Sequence, residues 1–361
     1  NMTVDEKNIV WLDLFPFLTY HKKVKILESF KAGEDIRSKF RSNPILNTIL
    51  AEEEYNKMCA LLDPSFLDNA IQKFTRDNII IITKYDPRYP ELLKEIPNAP
   101  LCLYCKGNIQ LLNTFSIGVV GTRHPSEYGI VVTKQYVKAL CDSDVTIVSG
   151  LASGVDTIAH RTALENNGKT IAVLAGGLYH IYPAFNINLA KQMTENNLIL
   201  SENSTDTTPQ SYLFPIRNRI IAGLSRGVLI TEAGQKSGSL HTANYANDYN
   251  RDVFAVPGRI NSPMSSGTNQ LIKELSAHIT TSPDDIINSF QLNTKKSEDN
   301  SAIQLDIREQ SILNYIRTEK KTFQEIADYT GIKASELNAI LLELEMNGLI
   351  TKLANNSYIM S

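Results

Sequence analysis

Residues 212–239 read YLFPIRNRIIAGLSRGVLITEAGQKSGS, and the order of elements inside this stretch decides the fold. Pro215 opens a helical pattern that carries Arg217 and Arg219. An apolar run at 227–230 has the length of a buried strand, and a polar loop follows with Glu232, Lys236, Ser237, Gly238 and Ser239. A loop at the carboxyl end of a parallel strand, leading into the amino end of a helix, gathers backbone N–H donors and a partial positive charge. The stretch therefore predicts a phosphate-binding crevice, and its basic helix start points to a polymer more than to a small substrate.

Outward from this point, apolar runs alternate with helical patterns from about residue 115 to about 287, at roughly the 30-residue step of βαβ units. The strands are FSIGVV, VTIVSG, TIAVLAG, LILSE, GVLITEA and DVFAVPG. They are short and nearly continuous in Val, Ile, Leu and Ala, as strands buried on both faces of a parallel sheet must be. The expected fold is a doubly wound, Rossmann-like α/β domain over residues 76–290. Each polar cluster follows a strand: Gly121-Thr122-Arg123, Ser149-Gly150, Gly176-Gly177, Glu232 and Pro257-Gly258. Ligands bind outside the carboxyl ends of such strands, so these clusters should converge on one crevice.

The flanks differ from this core. Residues 1–75 show helical spacing broken by Pro16, Gly33, Pro44 and Pro64, which fits a small module of the helix-hairpin-helix or sterile-alpha-motif type. Lys22, Lys23 and Lys25 within it read as a solvated helix face. Two apolar runs, NIIIITKYD and LCLYCKGN, then open the next domain. Residues 291–302 are polar and without period, a linker. Residues 303–361 read as three helices with a turn at Gly331, then two short strands around Asn355-Asn356, the pattern of a winged helix. Its third helix sets Glu336, Glu343 and Glu345 against Lys333. Phosphate would be repelled there, so a protein-interaction role is expected.

The composition narrows the classes further. A chain of 361 residues with 42% hydrophobic content is long enough for two or three domains with a real core. The absence of an 18-residue apolar run and of a leader pattern predicts a cytoplasmic protein without a membrane segment. The net charge of −3 argues against a broad basic surface, so any polyanion site must be local. Among Cys59, Cys102, Cys105 and Cys141, one CxxC pair has metal-like spacing but no second pair accompanies it. No metal or cofactor is expected.

Within the expected crevice, SGLASGVDTIAH at 149–160 places Ser149, Gly150 and Gly154 where backbone can approach a phosphate. Asp156 and His160 share a helix face, either as a ligand or acid–base pair or as a hydrogen-bonded pair orienting the loop. The second role is expected. Arg123 follows the first strand, where its guanidinium fork suits a phosphate, and Arg217, Asn218, Arg219 and Lys236 are assigned to the same anion. Arg219 has an alternative role as the partner of a carboxylate such as Glu232. Phe214 and Tyr182 are candidates for base stacking, with Tyr212 nearby. His160 and His241 have no Ser or Cys partner, and neither HExxH nor a Walker lysine motif occurs. No catalytic set emerges, and the crevice is expected to bind.

Taken together, GTRHPSEYG, SGLASGVDTIAH, LAGGLYHIYPAFN, FPIRNRIIAGLSRGVLITEA, KSGSLHTA and the PG…GTNQLI block resemble the DprA/Smf family of DNA-processing proteins, over about residues 78–287. The resemblance implies a dimeric cytoplasmic protein that binds and protects single-stranded DNA. It also implies a partner, the recombinase RecA, loaded onto that DNA in natural transformation and homologous recombination. By position, Arg123 and Lys236 match the family's basic residues expected at its DNA-binding pocket; Gly121, Ser237, Gly238 and Ser239 are further candidates for the phosphate. Thr122 stands where the family usually has serine, and SENSTDTTP at 201–209 lacks the family's expected proline and glycine. The sheet and its TEAG glutamate also resemble nucleotide phosphoribohydrolases of the lysine-decarboxylase-like group, in which Arg123 would hold a phosphate and Glu232 would promote glycosidic cleavage. That group's PGGxGT loop is missing, because Pro257-Gly258 is separated in sequence from Gly267-Thr268.

Overall fold

The computed structural model describes residues 2–293, 305–317, 319–353 and 356–360. Six helices come first: α1 (Val4–Asp13), α2 (Tyr20–Glu28), α3 (Ile36–Lys39), α4 (Leu46–Ile49), α5 (Glu52–Cys59) and α6 (Pro64–Arg76). Local chemistry sets their starts. Thr3 and Glu6 form a reciprocal capping box on α1, and Asp63 caps α6 just ahead of Pro64, whose missing N–H has no partner to lose there.

A nine-stranded sheet follows, built from β1 (Ile80–Thr83), β2 (Cys102–Gly107), β3 (Ser116–Val120), β4 (Thr146–Ser149), β5 (Thr170–Val173), β6 (Leu198–Ser201), β7 (Gly227–Ile230), β8 (Asp252–Ala255) and β9 (His278–Ile279). Its order is β1-β2-β6-β5-β4-β3-β7-β8-β9. All ladders from β6 to β9 are parallel, as the apolar runs predict, whereas β2 pairs antiparallel with both β1 and β6. Hence only β2 runs against the others. The two runs that open the expected 76–290 domain form β1 and β2 at one edge of its sheet.

Alternate residues of each strand enter the two faces, as a two-residue period requires. Ile117, Val119, Ile147 and Leu229 meet α8 (Glu127–Asp142), α9 (Val155–Glu165) and α14 (Pro283–Ser289). Val120, Val148, Val228 and Ile230 meet α7 (Glu91–Lys94), α11 (Leu213–Leu224), α12 (Ser239–Asp248) and α13 (Ser266–Lys273). The first face continues into α10 (Ile187–Asn196) and the six amino-terminal helices, where Trp11, Phe74 and Tyr104 share one core with Ala172 and Ile199. Cys102 and Cys105 lie in the cores of opposite faces, so they cannot share a metal ion.

The carboxyl-terminal part is a winged helix: α15 (Ile307–Ile316), α16 (Phe323–Thr330), a turn at Gly331, α17 (Ala334–Met346), and a three-stranded sheet of β10 (Lys321–Thr322), β11 (Ile350–Lys352) and β12 (Ser357–Met360). The strand β10 was not expected from the sequence. Two residues leave too short a run for an alternating pattern to register. The linker expected at 291–302 lies, from residue 294 on, outside the described residues. No helix among the described residues is long and apolar enough to cross a membrane.

Phe74 is 3% exposed and meets the Tyr104 ring at 5.4 Å, joining α6 to β2. Phe74→Ala should cost about 3–5 kcal/mol in urea unfolding. Because helices and sheet share that core, fluorescence of Trp11 and far-UV dichroism should move together to the lower midpoint.

Candidate nucleic-acid interface

Strands β3 and β7 are neighbours in the sheet, but the chain leaves β3 toward β4 on one side and reaches β7 only after crossing to the other. The connections after the two strands therefore diverge, and a crevice opens at this switch point. It has a volume of about 610 Å³ and is lined from three segments: Gly121–His124 after β3, Phe214–Asn218 of α11, and Lys236–Ser239 entering α12.

The two strand ends are clamped together behind it. Thr122 N–H donates to Glu232 O at 2.8 Å, and Val155 N–H donates to Thr122 O at 3.1 Å. Glu232 is 2% exposed. Its carboxylate accepts from Ser126 N–H at 2.8 Å and Ser126 Oγ at 2.5 Å, tying the β7 loop to the start of α8. Gly154, at φ +79°, starts α9, and a Cβ there would lie 2.3 Å from Thr122 O. This glycine serves backbone packing beneath the crevice.

Arg123 and Lys236 are both exposed, and neither forms an ion pair among the described residues. The Arg123 guanidinium lies 5.2 Å from the Phe214 ring centroid, a cation–π contact that fixes its stem over the crevice wall. On the α12 side, Ser237 and Ser239 hydroxyls share a bond at 2.8 Å, and Asn218 Nδ2 holds Gly238 O at 3.3 Å. Thr242 is fully buried against the crevice, and its hydroxyl has no partner among the described residues. The site thus joins two free cations, a helix amino end and an unpaired hydroxyl, an arrangement that attracts an anion.

Several residues expected at the phosphate play other parts. Arg217 borders the crevice but is 5% exposed, and its Nη1 donates to Gly150 O at 2.6 Å and Val173 O at 2.5 Å. Burial pushes its pKa down to about 10, with nearby Asp156 acting in the opposite direction. It remains charged and adds to the local potential while Nη1 is spent on backbone and Nε on Asn218 Oδ1. Gly150 makes room for it, since a Cβ there would sit 2.5 Å from the guanidinium. Ser149 is fully buried and donates to Val119 O. Arg219 faces away and pairs with Glu202, not with Glu232, in a nearly buried bridge. Residues 217 and 219 are about 200° apart around a helix, so one cannot follow the other into the crevice.

Asp156 and His160 take the orienting role. Asp156 accepts from Gly150 N–H at 3.0 Å and Ala152 N–H at 3.4 Å. Burial raises its pKa, opposed by Arg217 and these bonds. His160 Nε2 accepts from Leu151 N–H at 3.3 Å, and its Nδ1 meets Thr170 Oγ1 at 2.7 Å. Burial first, then Arg217, pushes the imidazole down to about 3. The ring is therefore neutral, with Nδ1–H donating to Thr170, which donates in turn to Ile147 O. Tyr182 stands outside the lining but touches Phe214, ring to ring, at 5.7 Å. The lining also includes Thr122, His124, Ser211, His241, Thr242 and Met264, none of them among the expected site residues. The position of His241 in the first turn of α12 was a readable signal. Ser211 and Met264 come from loops whose paths the sequence does not indicate.

The family described as DNA recombination-mediator protein A matches residues 80–291, more than half of the chain. The chain belongs to that family. The DprA winged helix domain matches residues 296–356. A DprA from Bacillus subtilis is 42% identical over 209 residues, covering 58% of this chain and 70% of its own length. The crystal structure of Streptococcus pneumoniae DprA matches with a TM-score of 0.68 at 34% identity, covering 81% of this chain and 100% of that one. A Helicobacter pylori DprA structure, described for its single-stranded DNA binding mode, matches with a TM-score of 0.54 at 33% identity, covering 59% and 95%.

Two outcomes follow for this DprA-family site. Arg219→Ala leaves the partly buried Glu202 without its charged partner and should cost about 1.5–3 kcal/mol in chemical unfolding, with the crevice cations untouched. His160 titrates below its unfolded value of about 6.5, so the unfolded chain holds the extra proton in between. Its contribution is complete above about pH 6.5 and declines as pH falls toward 3. Urea midpoints at pH 8, 6.5 and 5 should show this fall in the wild type, and His160→Gln should be less stable at pH 8 with a shallower fall.

Proposed function

We propose that this protein binds single-stranded DNA in the β3/β7 crevice, acts without catalysis, and delivers the strand to a RecA-type recombinase. On this reading it works in the cytoplasm as a homodimer, in natural transformation and homologous recombination. The observation that carries the reading is the placement of Arg123 and Lys236, two exposed cations without ion-pair partners among the described residues, in the lining of one crevice that also holds the Phe214 ring beside Arg123. The protein's net charge of −3 gives a stiff duplex no broad basic face to lie on. A flexible strand can bend its phosphates toward two cations and stack a base on Phe214, which adds about 1–3 kcal/mol per base with little regard for sequence. The family's description as a recombination mediator and the single-strand binding described for the Helicobacter pylori relative support the same reading. For the winged helix, exposed Glu336 and Glu343 on α17 favour a protein partner over DNA.

A nucleotide hydrolase would need Glu232 at the glycosidic bond. Its carboxylate is buried and engaged with Ser126, which weighs against that role.

Fluorescence anisotropy of a labelled single strand and of its duplex, across a salt series, tests the proposal. The single strand should bind more tightly. Arg123→Ala with Lys236→Ala should weaken it and flatten the salt slope by roughly 0.7 per lost phosphate contact. Equal affinity for both DNAs, or an unchanged double variant, would overturn it. Release of free base from nucleoside monophosphates, lost in Glu232→Gln, would establish the hydrolase instead.

A further inference from the structure

We infer that the strand continues out of the crevice onto an aromatic ledge formed by Tyr182, Phe185 and Tyr212, which binds unpaired bases by stacking. The inference rests on the single-strand reading of the crevice and extends it to a second contact surface.

The rings on this ledge are unusually open. Tyr182 is 54% exposed, Phe185 62% and Tyr212 64%. Large exposed aromatic groups carried on touching segments mark a binding surface. They arise from two segments, 179–187 and 210–216, which the contact between Tyr182 and Phe214 brings together. Phe214 in turn carries Arg123 over its ring, so the ledge is continuous with the cationic wall of the crevice.

The surrounding chemistry selects the occupant. Neither segment contains an aspartate or glutamate. The segments themselves therefore offer a polyanion no repelling charge, and Asp77, which accepts from Tyr179 at one end, is paired with Arg76. The nearest acidic residue in the intervening loop, Asp206, is bridged to Lys73. Flat rings with few rotatable bonds suit bases, because every base offers a π face.

The ledge is also held in place before any ligand arrives. Beside Phe185, Asn186 is fully buried and donates to Leu151 O at 2.9 Å and Thr157 Oγ1 at 2.8 Å. Tyr179, at the other end of the segment, is bonded to Asp77. Tyr212 stands at the N-cap position of α11, so its backbone is set by the helix that carries Phe214 and Arg217. Little ordering is left for the strand to impose on the protein.

The test uses oligothymidylates of about 4 and about 15 nucleotides, spanning the usual range of single-strand site sizes. Affinities are measured by anisotropy at fixed salt for the full chain. Phe185→Ala and Tyr212→Ala should weaken the long strand by roughly 5- to 150-fold per lost stack and leave the short one unchanged. Tyr212→Phe should bind like the wild type. The salt slope should stay constant, because no phosphate contact is lost. Unchanged affinity for the long strand, an equal loss at both lengths, or a change confined to the oligomeric state would overturn the ledge. Arg123→Ala separates the two claims. If it weakens both lengths while the ledge variants are neutral, the ledge alone fails; if it weakens neither, the crevice reading fails and the ledge falls with it.

Discussion

The site depends on a constraint of topology: β3 and β7 lie side by side, yet their connections must depart in opposite directions. Parallel packing of apolar strands leaves no freedom at that point, and the gap between the departing loops is unavoidable. What the sequence adds is a clamp that keeps the gap at one width. The bond from Thr122 N–H to Glu232 O closes the floor, and the Glu232 carboxylate fixes the wall through Ser126. Asp156 and neutral His160 hold the backbone at 150–152 from below. Each of these polar groups is buried and satisfied, so each resists displacement more than its modest net energy implies.

That clamp divides the cations into two kinds. Arg217 is the structural one, with Nη1 shared by two carbonyls and its charge held just under the crevice. Arg123 and Lys236 are the free ones, and they can follow a ligand. A buried charge that cannot move supplies potential without any reorganisation, while mobile charges on the rim supply contact. This arrangement explains how a protein with a net charge of −3 can present a local anion site.

The sheet was legible because strands buried on both faces leave continuous apolar runs, but of the polar clusters that follow those runs Gly121–Arg123 lines the crevice, whereas Gly176-Gly177 and Pro257-Gly258 do not. Antiparallel β2 was not legible: LCLYC looks the same in either direction, and only its pairing with β6 settles the matter. Among the arginines, proximity in sequence misled. Arg217 and Arg219 were both assigned to the phosphate, although helical geometry sends them to opposite sides of α11. Glycines behaved similarly, since Gly150 and Gly154 read as room for a ligand and proved to be room for Arg217 and for Thr122 O. Sequence shows that close approach occurs at a glycine, but tertiary packing decides what approaches.

The small number of free cations has a consequence for how a strand would be held. Two phosphate contacts release few counterions, so the electrostatic part of binding is shallow in salt and modest in strength. Affinity must then come from stacking and from repetition along the strand. On the proposed reading Phe214 would supply one stack inside the crevice, and the exposed rings of Tyr182, Phe185 and Tyr212 would extend the same chemistry outward, where each further base adds contact without adding charge. A surface organised this way holds a long flexible strand by many weak steps. Individual steps can release while the rest remain bound, which is the property a protein needs if it is to pass the strand to another.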